Sequence, residues 1–446
     1  MVEAGHAEHG RRCQALQAAL AQAETVGLGK STSNLFRDRA ASGKRRLDVR
    51  DFNHVLAVDS AAGWVDAEGM VPYDVLADAC LAQGVMPAVV PQLKSITLGG
   101  AVAGVGIEAT SFRHGLVHET VLELDVLTGT GEIVQARPGN EHADLFHGLA
   151  NSYGTLGYAL RVRAATSPVK HHVAVEHRRF SDATGFFDAL VQACAGDADF
   201  VDGVLFDAGT LVLSQARFVD AAPYVSDYTF ERIYYRSLLE RELDYLTVHD
   251  YLWRWDTDWF WCSKNLGAQQ PWLRRLYGRN RLNSRTYTKL MRSNSRLGLT
   301  RVLDRLSGWH RESVIQDADL PIEQAVEFLT FLLREIGILP VWVCPIGATA
   351  RSARFPLFPR RAGLYVNFGF WDVVRRRQKH PPGHFNRLIE REVARLGGIK
   401  SLYSDSYYAA EEFHATYGGD AYRQLKARYD PQGRLGDLYA KCVLRQ

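Results

Sequence analysis

The sequence predicts a globular protein that mixes helices with strands, divides into more than one domain, and is not built on a dinucleotide-binding βαβ unit. The chain has 446 residues, enough for two or three packed domains. Its 46% hydrophobic and 23% charged residues are the balance of a soluble globular chain. The third observation is a glycine cluster, "LGGAVAGVGIEATSFRHG", from Leu98 to Gly115. Within it Gly104-Val105-Gly106-Ile107-Glu108-Ala109 reads as G-x-G-x-x-A, with Glu123 and Asp125 about twenty residues on, as in a Rossmann fingerprint. That unit needs a strand before the glycines and a helix after them. Here a proline-containing loop comes before, and "TVLELDVLTGTGEIVQA", a strand, a glycine turn and a strand, comes after. The fingerprint match is therefore accidental.

The elements follow in order. Residues 10–24 read as a short amphipathic helix. "HVLAVD" and "GWVDAEGM" are short apolar–polar alternations joined at Ser60-Ala61-Ala62-Gly63, which predicts two strands and a turn. "VPYDVLADACLAQG" predicts a helix stopped at Gly84. "MPAVVPQLKSITLGG" carries two prolines and ends in paired glycines, so it reads as a loop that approaches something closely. The glycine cluster after it suits two purposes: backbone N–H groups converging on an anion such as a pyrophosphate, or a tight turn against a sheet.

Other features exclude functions or leave them open. The most apolar run, "AVEFLTFLLREIGILPVWVCPIG", is interrupted by Arg334 and Glu335, so no membrane span is expected. The first residues lack the apolar core of a secretory signal, and six scattered cysteines show no C-x-x-C spacing. A cytoplasmic protein without a metal site or disulfide framework is expected. Between Pro271 and Arg311 eleven Lys/Arg (274, 275, 279, 281, 285, 289, 292, 296, 301, 305, 311) face one acid, Asp304. This suits a solvated basic face or an anionic lipid surface; no reading module supports nucleic acid. Just upstream, "WRWDTDWFWCSK" holds Trp253, Trp255, Trp259, Phe260 and Trp261 at spacings that fit neither a helix face nor a strand face. Aromatic core packing, a pocket for a large apolar substrate and a membrane contact are its three readings.

The residues Pro91, Thr97-Leu98-Gly99-Gly100, Gly104, Gly106-Ile107-Glu108, Ser111 and His114-Gly115-Leu116, the hairpin "LELDVLTGTGEIV" and "HADLFHGLANSYGTLGYALRVR" resemble the flavin domain of the vanillyl-alcohol oxidase/p-cresol methylhydroxylase (PCMH-type) superfamily. "QDADLPIEQAVEFLTFLL", "AGLYVNFGFW" and "SLYSDSYYAAEEFHATYGGDAYRQLKARYDP" extend the resemblance to its Δ24-sterol reductase (seladin-1) branch, from about Thr25 to Cys442. The resemblance implies an α+β protein: an N-terminal helix (1–24), a PCMH-type FAD-binding domain of two α/β subdomains (25–166), an α+β substrate-binding cap (167–420) and a C-terminal segment (421–446) returning to the flavin domain. It implies FAD held by Thr97, Leu98, Gly99, Gly100, Ala103, Gly104, Gly106, Ile107, Glu108, Ser111, His114 and Gly115, with Gly154, Thr155 and Gly157 near the adenine end. Lys30, Ser31, Thr32, Ser33 and Asn34 lie where the family's first pyrophosphate loop would be. No His or Cys falls between Gly27 and Leu35, so non-covalent, dissociable FAD is expected.

The chemistry that the resemblance implies is reduction of an isolated carbon–carbon double bond in a lipid. The substrate would be a sterol side chain or a methylene-branched fatty acyl chain of a phospholipid, with NADPH as reductant. An Arg- and Ala-rich, Lys-poor composition of an actinobacterial kind favours the second substrate. An unactivated alkene needs a positioned acid that is protonated at working pH. Tyr407, Asp405, Glu412 and His114 are the candidates, and Glu108 beside the flavin loop is a further one. Two other functions stay open: an FAD-dependent alcohol or hydroxy-acid oxidase or dehydrogenase, and a non-catalytic flavoprotein that binds anionic lipid. Peripheral contact with an anionic membrane is an expectation of the leading reading too; the oligomeric state is left open.

Overall fold

The computed structural model describes residues 2–30, 36–37, 43–297 and 308–446. Its first helix, Val2–Ala21, begins earlier than the sequence pattern suggests, and it buries Cys13, Leu16 and Leu20. It is tied to the flavin-domain sheet through Glu68, which His9 Nδ1 and Arg12 Nη2 reach at 2.7 Å each.

The sheet behind the glycine cluster has the strand order Val55–Asp59, Trp64–Glu68, Tyr158–Pro168, Val121–Leu127, Ile133–Ala136, with Val85–Pro87 also paired to Tyr158–Pro168. The first two strands are the alternations read from the sequence. The last two form the expected hairpin, antiparallel from Leu124↔Ala136 to Leu127↔Ile133, with Gly131 at φ +94° in its turn. Helix Tyr73–Leu81 ends near Gly84, which adopts φ +73°.

The stretch read as a loop up to Gly100 is more structured than expected. Val85–Pro87 is a strand, and Leu98–Ala103 is a helix with two glycines in its first turn. Helix propensity argues against such a start, and close packing overrides it. A Cβ on Gly99 would sit 2.9 Å from the carbonyl oxygen of Gly69, and one on Gly69 would sit 1.9 Å from that of Ala159. The backbones of loop, helix and central strand touch, so only glycine fits.

Beyond Pro168 the chain enters an eight-stranded sheet, ordered Leu243–Thr247, His172–Phe180, Thr210–Val219, Phe200–Asp207, Val341–Ile346, Tyr365–Arg376, His310–Pro321, Ile399–Lys400. Alternate residues face two ways. Val201, Leu213, Val343 and Phe368 pack with helices Ala183–Ala195, Ala325–Phe331 and His384–Arg395. Val173, Phe200, Val212 and Trp342 belong to the core shared with the flavin domain and the tryptophan segment.

That segment is core. Trp253, Trp255, Trp259, Phe260 and Trp261 are all buried, which removes them from any membrane contact. The basic stretch is largely paired: Arg274 is buried against Asp258, at 2.6 Å, and Arg279 and Arg285 meet Asp227 and Asp74 at 2.8 and 2.5 Å. Arg301, Asp304 and Arg305 lie outside the described residues, as do the side chains of Arg292 and Arg296. Finally, helix Gly419–Tyr429 lies back on the flavin domain, where Lys426 Nζ donates to the carbonyl of Thr155 at 2.8 Å and Tyr429 donates to Asp144 at 2.7 Å.

Candidate active site: a cavity between two unlike walls

Between the flavin-domain sheet and the cap sheet lies a cavity of about 1360 Å³. It exceeds the roughly 300–1,000 Å³ that suits one drug-sized ligand, so there is room for an extended cofactor and a substrate together.

One wall is backbone. Thr97, Gly99, Gly100, Ala103, Gly104, Gly106 and Ile107 line it, with Gly154 and Gly157 further along and Lys30, Lys44 and Arg46 at one side. A Cβ on Gly100 would approach Thr97 Oγ1 to 2.7 Å, one on Gly104 the Gly100 carbonyl to 2.8 Å, and one on Gly106 the Pro91 ring to 3.0 Å. The two readings of the cluster thus merge: the glycines pack the loop tightly and, in doing so, present bare backbone to the cavity. The opposite wall is side chain, with Trp259, Phe260, Trp342 and Trp371 beside Asp317, Asp319, Asn367 and Tyr403.

Backbone strain gathers here. Six described non-glycine residues have positive φ, and five of them line the cavity: Val105 (52°), Tyr153 (49°), Trp259 (44°), Phe260 (60°) and Arg445 (66°). Each costs on the order of 1–3 kcal/mol, and such residues collect at functional sites. For β-branched Val105, inside the accidental fingerprint, a left-handed conformation is a true outlier.

The sequence-predicted cofactor residues divide into two sets. Thr97, Gly99, Gly100, Ala103, Gly104, Gly106, Ile107, Gly154, Gly157 and Lys30 reach the cavity. Leu98, Glu108, Ser111, His114, Gly115 and Thr155 do not line it; they brace the loop from behind. Ser111 Oγ accepts from the Glu108 amide at 3.1 Å, and Thr155 Oγ1 donates to the Ser152 carbonyl at 2.8 Å. Glu108 is locked to Arg254, at 3.0 Å, which also meets Asp202 of the cap at 2.9 Å. Burial pushes the Glu108 carboxyl up, and one guanidinium serves two enclosed acids. Ser31, Thr32, Ser33 and Asn34 lie outside the described residues.

The candidate acids divide as well. Tyr407 and Asp405 line the cavity, and both contact Arg445, at 2.9 and 3.6 Å. Glu412 is exposed and accepts from the Ala409 amide at 3.1 Å, capping helix Ala410–Thr416, while His114, its pKa lowered by burial and by Arg113, faces Ser167 Oγ at 3.5 Å. Neither reaches the cavity. Sequence reasoning missed Gln92, Asp317, Asp319, Tyr403, Trp342 and Trp371, all lining it. The two prolines around "AVVPQL" were the only pointer to Gln92.

Several enclosed polar atoms test whether a flavin fits. Gln92 is buried on the cavity wall with both its amide oxygen and its amide nitrogen unpartnered, and the Tyr153 hydroxyl is unpartnered too. An amide that offers a donor and an acceptor side by side matches the pyrimidine edge of an isoalloxazine, and bare backbone with Lys30, Lys44 and Arg46 suits a diphosphate. Cys262, the one cysteine on the wall, has its thiol pushed up to about 12 by burial, which disfavours the thiolate a covalent flavin bond would need.

Comparison with known proteins agrees with this geometry. Residues 9–137 match the family model described as an FAD binding domain. Over 409 residues, 87% of this chain and 75% of the relative, the sequence is 24% identical to Delta(24)-sterol reductase of Homo sapiens. It is 21% identical over 434 residues to that of Arabidopsis thaliana, covering 89% and 76% of the two chains. A 148-residue stretch is 33% identical to cytokinin dehydrogenase 7 of Oryza sativa subsp. japonica, covering 32% of this chain and 28% of that one. Residues 9–137 thus carry an FAD-binding domain of the PCMH type, and the chain is similar to Delta(24)-sterol reductases over most of its length.

Proposed function

We propose that the protein reduces an isolated carbon–carbon double bond of a lipid, a sterol side chain or a methylene-branched fatty acyl chain of a phospholipid, with NADPH as electron donor. The observation that carries this reading is the cap wall: four aromatic side chains beside two carboxyls, facing the backbone wall across one cavity. Aromatic and apolar surface binds a hydrocarbon chain.

Bound FAD supplies hydride. Gln92 would meet the ring edge, and the loop from Thr97 to Ile107 would hold the diphosphate through backbone. Trp259, Phe260, Trp342 and Trp371 line the cavity and would exclude water and hold the alkene in place. The cap supplies the proton that an unactivated alkene requires. The FAD is dissociable on this reading.

Anaerobic addition of NADPH is expected to bleach the flavin band, and incubation with either lipid class should add two hydrogens to the product, read by mass spectrometry. Bleaching by an alcohol with no response to NADPH would move the reading to the oxidase or dehydrogenase class.

We also propose that the enzyme meets anionic membranes peripherally. No described helix is long and apolar enough to cross a membrane. Helix Pro271–Tyr277, however, exposes Trp272 (68%) and Leu276 (73%) one turn apart, and Met291 of helix Ser284–Leu297 is both exposed and on the cavity wall. Exposed Trp and Leu among arginines suit a headgroup boundary. Co-sedimentation with anionic but not neutral vesicles is the expected result.

A further inference from the structure

Asp317 occupies a singular place on the cap wall. It lies in strand His310–Pro321, directly opposite Gly369 of Tyr365–Arg376. A Cβ on Gly369 would come within 2.8 Å of Asp317 Oδ1 and 2.7 Å of the Trp371 ring, so this glycine makes room for the carboxyl and the indole together. On the other side the Asp317 carbonyl accepts from the Ser401 amide at 3.1 Å, which brings Tyr403 alongside.

The Trp371 contact sets the direction of the proton. Trp371 Nε1 donates to the Tyr403 hydroxyl oxygen at 2.7 Å, which leaves the hydroxyl's own hydrogen to turn toward Asp317, whose anion it favours. Asp317 Oδ1 is enclosed and accepts nothing. The titratable and charged groups around it are few: Asp319 two residues along the same face, Tyr403 from the cap, Tyr153 from the flavin domain, and Arg360, which faces Asp319 and is itself paired with Glu119. Among the described residues no cation pairs with Asp317. Burial first, and then Asp319, push its carboxyl up to about 7 against the opposing effect of Tyr403. Tyr407 and Asp405, by contrast, both sit against Arg445.

We propose that Asp317 is the acid that protonates the substrate double bond, with Tyr403 as its positioning residue; this rests on the ene-reductase reading above. The step balances. The alkene π bond breaks, one carbon forms a C–H bond with the Asp317 proton, and the other forms a C–H bond with a hydride from reduced FAD. The two electrons derive from the nicotinamide nucleotide. Asp317 is left as carboxylate and regains its proton from water when product leaves.

The test compares wild type with Asp317→Asn and Tyr403→Phe, all loaded with FAD. Asp317→Asn should bind FAD and be bleached by NADPH at the wild-type rate. Its reduced form should be reoxidised by the lipid alkene roughly 10²–10⁴-fold more slowly. In wild type that step should fall about tenfold per pH unit above about 7, because the acid is lost as it ionises. Tyr403→Phe removes a bond that favours the anion, so it should move this alkaline limb to higher pH, a shift that a merely structural role would not cause. Independently of turnover, the wild-type-minus-Asp317→Asn infrared difference spectrum should show one protonated-carboxyl C=O component that titrates near neutrality, beside those that Glu108 and Asp319 keep in both proteins. Reoxidation of Asp317→Asn at the wild-type rate, or an Asp317→Asn spectrum that has lost no titrating carboxyl component, overturns the assignment. Failure of wild type itself on every alkene overturns the ene-reductase reading, and the assignment with it.

Discussion

The two walls of the cavity are made in opposite ways. The flavin-domain wall is backbone brought to the surface by glycines that pack against their own domain, so its shape is fixed locally and admits little variation. The cap wall is a set of large side chains brought together from segments far apart in sequence, with Asp317 and Gly369 paired in one sheet and Tyr403 beside them. A wall of backbone is fit to hold a constant cofactor. A wall of side chains is where a substrate can be chosen.

The strongest test of how the walls are joined is Arg254, which bridges Glu108 at the end of the glycine loop to Asp202 of the cap. Arg254→Ala leaves two enclosed carboxyls without their cation and should cost about 3–5 kcal/mol in denaturant unfolding. If the loss is under about 1 kcal/mol, the walls are held by packing alone.

His118 sits on the flavin-domain side of the seam, 4.4 Å from the Phe355 ring, and burial lowers its pKa from 6.5 to about 4. His177 in the cap is lowered to about 4 for the same reason. Both fold as neutral imidazoles, so the unfolded chain binds more protons between about pH 6.5 and 4, and stability falls as pH falls through that window. Each contributes roughly 3 kcal/mol to the loss. Thermal melts from pH 7 down to 4.5 should show it, and His118→Phe should remove about half.

Gly99→Ala probes the backbone wall alone. Its Cβ would meet the Gly69 carbonyl at 2.9 Å, so a cost of about 1–3 kcal/mol and a weaker hold on FAD are expected, while the cap is unaffected. The smallest effect on stability belongs to the double substitution of Trp272 and Leu276 to Ala. Both side chains are largely exposed, so stability should change by less than about 0.5 kcal/mol per site while anionic-vesicle binding drops.

The walls also differ in how far the sequence exposes them. The hairpin 121–136, the strands at 55–59 and 64–68, and helix Tyr73–Leu81 were legible because each is a local pattern of alternation or period ended by a turn residue. The glycine wall was legible as a motif, though not as a helix, because backbone contact with Gly69 overrides propensity. In the cap, Trp259 and Phe260 follow neither a helical nor a strand period because both are left-handed, at φ 44° and 60°. Asp317 reads as one acid in "QDADLP". Only pairing with Gly369, 52 residues on, makes it a site, and no local pattern encodes that register.

The central claim is that a flavin on the backbone wall faces a lipid alkene on the cap wall. It is tested most directly by a single turnover: the FAD-loaded protein is reduced anaerobically with one equivalent of NADPH and mixed with a lipid alkene, while the flavin band is followed. The account predicts that the band returns as the alkene is consumed, with one alkane formed per flavin. A band that NADPH bleaches but no sterol or methylene-branched lipid restores would contradict it.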